Sequence, residues 1–151
     1  MNPIWQRWFL VAGLTMVAVG LVIAFLGAHP WAATLTAPFH EVFWPGGAVP
    51  NAARHFQRFI YGVLGGSLAG WGVFLVFLAR TALARGEQWA WRCAAAGFGL
   101  WFVIDTGLSA ATGVTANVLF NVAAATLIAV PLAGSYRDLR GRWSPPELGE
   151  E

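Results

Sequence analysis

The sequence predicts an all-α membrane protein: four transmembrane helices in an up-down bundle, with one long, partly interfacial outer loop. Three observations carry this. Of 151 residues, 58% are hydrophobic and 11% charged, whereas soluble domains carry about 25% charged residues. Four apolar spans, at about residues 8–27, 56–79, 89–111 and 116–134, each approach the roughly 20 residues a helix needs to cross the hydrocarbon core. The charges gather at or between the span ends, with Asp105 the exception. The transmembrane domain is thus expected over residues 1–136, followed by a polar tail over 137–151.

The first span is preceded by Trp5, Arg7 and Trp8, an interfacial anchor. It exceeds the apolar core of about 7–15 residues found in a secretory signal, and Leu26 spoils a cleavage site at Leu26-Gly27-Ala28, so an uncleaved helix is expected. Gly13, Gly20 and Gly27 recur every seven residues and mark a narrow face for close helix packing.

Residues 28–55 form the one long connection. Pro30, Pro38, Pro45 and Pro50 interrupt continuous helix, while Trp31, Phe39, Val42, Phe43 and Trp44 are too apolar for a solvated loop. A position on the membrane surface or folded over the helix ends follows. His29, His40 and His55 all fall here, which raises a metal or haem site. They lack helical i, i+4 spacing and none lies within a span, so they rank as weak metal candidates and are expected to be interfacial or loop residues.

The second span carries Arg58, Gly62, Gly66 and Gly70 at successive i+4 positions, one ridge of a helix. A Gly-x-x-x-Gly-x-x-x-Gly row permits close helix contact in lipid, so Gly62, Gly66 and Gly70 are expected to pack against a neighbour, turning Arg58 inward. The competing reading has Arg58 snorkelling to the surface. A polar connection with Arg80, Arg85, Glu87 and Arg92 leads to the third span. The short Thr112-to-Thr115 turn then leads to the fourth, where Pro131 is tolerable in a membrane helix. The tail holds Arg137, Asp138, Arg140 and Arg142, then Ser144-Pro-Pro146 and three acids, and its end is expected to be disordered.

Arginine counting orients the bundle. With a cytoplasmic N-terminus, Arg7, Arg80, Arg85, Arg92, Arg137, Arg140 and Arg142 lie inside and Arg54 and Arg58 outside, so both termini are expected in the cytoplasm. Asp105 then lies about 9 Å inside the outer end of the third helix, with Asn121 at similar depth in the fourth. A charge within the bilayer costs about 2.5–3.5 kcal/mol on insertion scales and needs a partner, a cavity or a proton. Arg58 is the expected partner, completed by Tyr61, Ser109, Asn117 and Asn121 as an intramembrane polar cluster. Such a cluster serves either as a strut that sets helix register or as a functional site.

A net charge of +2, carried entirely on arginine, supplies no basic patch for nucleic acid. Cys93 is the single cysteine, which removes Cys-x-x-Cys redox and zinc motifs. No Ser-His-Asp or paired-carboxylate constellation assigns a catalytic residue, and the reading leans away from an enzyme. A binding or structural protein, or a subunit of a membrane complex, is the leading expectation. Its partners are the lipid bilayer and a second copy or another membrane subunit. Small-solute or proton transport through Asp105 is the alternative. No cofactor is predicted, with quinone and haem left open.

The run from Arg58 to Trp71, the Trp101-to-Asp105 segment and the asparagines Asn117 and Asn121 resemble small uncharacterised bacterial four-helix inner-membrane proteins. The architecture is distantly similar to DoxX-like proteins. That resemblance implies a bacterial cytoplasmic membrane location and, through the quinone-linked subunits among DoxX-like proteins, an oxidoreductase subunit as a further alternative. It carries over no catalytic residue.

Overall fold

Apolar runs that cannot bury themselves in water become helices here. The structure, a computed structural model, describes residues 1–46 and 48–142, and the regular elements among them are helical. In order they are α1 (Pro3–Leu26), a 3-10 turn (Pro30–Ala32), α2 (Ala33–Phe43), α3 (Asn51–Arg80), α4 (Ala82–Arg85), α5 (Gln88–Ala111), α6 (Thr115–Leu139) and a 3-10 turn (Arg140–Arg142). α1, α3, α5 and α6 are each long and apolar enough to cross a membrane. Their outward faces are hydrocarbon: Phe25 is 80% exposed and Phe74 69%. In water such surface would be costly to leave open, and lipid removes the penalty.

The ends of the elements follow local chemistry. Asn2 accepts a hydrogen bond from the Ile4 amide at 3.0 Å ahead of Pro3, capping α1 where proline's missing N–H costs nothing. Gly86 and Gly113 take φ of 79° and 76°, the left-handed conformation that ends α4 and the α5–α6 turn. The long connection is more helical than its prolines predict. Pro38 lies inside α2, where it removes one intrahelical bond, and Pro50 caps α3, so Arg54 and His55 belong to α3 and not to a loop. α6 runs through Pro131 to Leu139, so residues 137–139, expected in the tail, continue the helix. The expected disordered end of the tail lies outside the described residues.

α1 and α3 pack backbone against backbone. A Cβ added at Gly20 would stand 2.5 Å from the Gly65 carbonyl oxygen, and one at Gly13 would stand 2.9 Å from that of Gly72. Gly13 and Gly20 are seven residues apart, and so are Gly65 and Gly72, so the two rows match in spacing. The ridge expected on α3 is therefore corrected. Nothing lies within 4 Å of a Cβ built at Gly62, Gly66 or Gly70. One residue turns a helix by about 100°, so Gly66 points well away from its neighbour Gly65, which meets α1. An i+4 glycine row gives close approach only where a partner of matching spacing faces it.

A small core forms where α1 begins, α3 ends and α5 begins. Phe9, Leu75, Ala79, Ala82, Leu83 and Ala90 are buried together there. α6 joins through Trp91, whose indole N–H donates to the Leu132 carbonyl at 3.0 Å and whose ring lies 5.1 Å from that of Tyr136. Gly134 leaves room for the Trp5 ring, which occupies the place a side chain there would need. α1 thus touches both α3 and α6, while α3 and α5 leave a gap between them.

Candidate functional site

Asp105 is the carboxylate on which the polar cluster is built. On α5 it has Trp101 one turn before it and Ser109 one turn after, so the three share a stripe. The Trp101 indole N–H donates to Asp105 Oδ2 at 3.2 Å. The short turn at Gly113 returns the chain so that Asn117 of α6 faces the same stripe. Asn117 Nδ2 donates to Asp105 Oδ1 at 2.9 Å and to Ser109 Oγ at 2.7 Å, using both its protons. The Ser109 hydroxyl donates to the Asp105 backbone carbonyl at 2.7 Å, with Oδ1 farther off at 3.3 Å. Ser109 is buried, whereas Asp105 and Asn117 are half-buried.

Asn121 makes a separate link. It is 1% exposed, and its Nδ2 donates to Thr106 Oγ1 at 3.2 Å. Both links join α5 to α6 and neither reaches α1 or α3. Of the expected cluster, then, Asp105, Ser109 and Asn117 come together, and Asn121 stands beside them on its own partner. Thr106 was missed because threonine in a membrane helix ordinarily satisfies its hydroxyl on its own backbone. The i−4 spacing of Trp101 from Asp105 was visible, but not that its ring N–H turns toward the carboxylate.

Arg58 and Tyr61 do not join the cluster. The ion pair expected between Arg58 and Asp105 is absent: among the described residues the salt bridge is Arg85 to Glu87, at 2.5 Å. Arg58 precedes Gly65 by seven residues and Gly72 by fourteen, which puts it on the α1 side of α3 and not toward α5. It is exposed. The Tyr61 ring packs beside Gly27, 3.2 Å from where a Cβ there would stand, and its hydroxyl makes no hydrogen bond among the described residues.

The three histidines lie on separate elements. His29 Nδ1 accepts from the Trp31 amide at 3.5 Å ahead of the first 3-10 turn. His40 of α2 meets Trp44 edge-on with centroids 6.1 Å apart, and its Nε2 is buried without a hydrogen-bond partner among the described residues. His55 is in the second turn of α3. Among the described residues no three His, Cys, Asp or Glu side chains converge in a way that could hold a metal ion.

An ionised carboxylate offers about four lone-pair positions. The groups bound to Asp105 are an indole, an amide and a hydroxyl, all neutral donors. They orient the carboxyl group and supply no countercharge. The arrangement is suited to receive a cationic group, and the Ser109 hydroxyl beside it is engaged with the Asp105 backbone carbonyl at 2.7 Å. Comparison of the chain with protein-family models, curated proteins and solved structures finds no match.

Proposed function

We propose that this chain is a multi-pass membrane protein that binds a cationic group, a proton or a small cation, at Asp105. One observation carries the reading: Asp105 is braced on both oxygens by neutral donors, with no arginine at hand. An ion pair would have made the charge a self-contained strut. An unpaired intramembrane carboxylate is costly and is by default a functional group. The seven-to-two arginine asymmetry supports an up-down bundle with both termini in the cytoplasm, which brings Asp105 toward the outer face. The resemblance to small bacterial four-helix proteins supports the inner membrane as its location.

The test is the melting temperature in detergent with sodium, potassium or methylammonium chloride, or with acid, for wild type and Asp105→Asn. A ligand at about one hundred times its Kd stabilises by about 2.7 kcal/mol. Wild type should gain stability with one of these cations and Asp105→Asn should not. The competing reading is a clasp, favoured because every bond of the cluster stays within the α5–α6 pair. A wild type indifferent to all cations, beside an Asp105→Asn variant that only melts lower, would establish the clasp.

A further inference from the structure

Where α3 and α5 fail to meet, an apolar groove of about 480 Å³ remains, floored by Met16 of α1. Trp71, Phe74 and Phe98 form its walls, and Thr81 and Cys93 stand at its end. No charged side chain lines it. The Thr81 hydroxyl donates to the Phe77 carbonyl at 2.6 Å, so the groove offers no free strong donor. The part of an occupant inside the groove is held by hydrocarbon burial.

The dimensions suit a long apolar occupant. From Trp71 to Thr81 the α3 wall runs about 15 Å at 1.5 Å per residue. Spread over that length, 480 Å³ gives a mean cross-section on the order of 30 Å². A groove of that length and section admits an extended hydrocarbon chain.

Charge at the groove's end selects the head group. Arg80 and Arg92 immediately precede the lining residues Thr81 and Cys93. Both are exposed, and among the described residues neither has a hydrogen bond or an ion pair. The nearby acid, Glu87, is already held by Arg85. Two exposed arginines, one at the end of α3 and one in the first turns of α5, the two helices that flank the groove, complement a phosphate attached to an acyl chain. We propose that the groove seats an acyl chain of an anionic phospholipid, whose phosphate is held by Arg80 and Arg92.

Native mass spectrometry in mild detergent, with added dioleoyl phosphatidylglycerol or dioleoyl phosphatidylcholine, tests this. Two basic residues near a membrane surface should favour the anionic lipid by about tenfold or more. Arg80→Gln with Arg92→Gln should bring phosphatidylglycerol down to the phosphatidylcholine level. Gly97→Leu should fill the groove and displace both lipids, and it meets no backbone because nothing lies within 4 Å of a Cβ there. A measurement on unaltered protein guards against misfolded variants: alkylation of Cys93 by N-ethylmaleimide should slow with phosphatidylglycerol and not with phosphatidylcholine. Equal retention of both lipids, with no protection of Cys93, would overturn the proposal. So would a Gly97→Leu variant that keeps its lipid but loses self-association, since the occupant would then be a second copy.

Discussion

Asp105 shows how a carboxyl group can be held in an apolar span by neutral donors alone. Its amide partner, Asn117, supplies two interhelical hydrogen bonds, each contributing about 0.6 kcal/mol on average in membrane helices. Asn117→Ala should therefore lower stability by about 1 kcal/mol in detergent unfolding. Arg58→Gln should change it by less than about 0.5 kcal/mol, as surface substitutions do. In a double-mutant cycle the effects of Arg58→Gln and Asp105→Asn should add, and a coupling above about 0.5 kcal/mol would mean that the two side chains meet after all. Glu87 behaves differently because it lies outside the spans. Hydrogen bonds from Arg85 and then Trp89 hold its carboxyl below the usual carboxylate pKa. A lowered folded-state pKa gives stability that is present above the ordinary value and is lost as pH falls through the lowered one. Melting of Arg85→Gln should accordingly fall below wild type at neutral pH, and the difference should close in acid.

Packing between elements turns on which glycine row meets a partner. Gly65 and Gly20 stand where any Cβ would strike the other helix's backbone, and backbone cannot move aside as a side-chain tip can. Gly65→Leu or Gly20→Leu should cost at least about 2 kcal/mol, in the range of overpacked cores. Gly66→Leu, one residue along, should leave the unfolding midpoint within about 0.5 kcal/mol of wild type. Equal loss for Gly65→Leu and Gly66→Leu would show that α3 has turned to present its other face. The two helix pairs are held by different forces. α1 and α3 join through close dispersion contact along glycine, whereas α5 and α6 join through amide and hydroxyl bonds near one end and through the Trp91 indole near the other.

At the scale of the molecule, the proposed up-down arrangement requires both termini on one side of the membrane and α2 on the other. Reporter fusions after Glu151 and within residues 33–43 should read cytoplasmic and periplasmic, respectively. A periplasmic signal at the C-terminus would refute the arginine-based orientation and move Asp105 to the opposite half of the bilayer. The groove between α3 and α5 and the unpartnered Gly62–Gly70 face give this fold more apolar surface than a bundle closed on itself, and lipid is the solvent that tolerates it.

The sequence by itself determined the class of fold and the existence of four membrane-length helices, because length and hydropathy are properties of a stretch read alone. It also marked Gly13 and Gly20 as a packing face and placed Asp105, Ser109 and Asn117 on facing stripes, because helical periodicity and a short turn bring such residues together without help from other elements. Tertiary structure decided the rest. Whether α1 meets α3 at Gly62–Gly66–Gly70 or at Gly65–Gly72, and whether Arg58 turns toward Asp105 or toward α1, depends on the rotation of one helix about its own axis. Several rotations of α3 offer lipid an acceptable face. Only contact between matching glycine rows selects one, and that contact belongs to two helices at once, one of them distant in the chain.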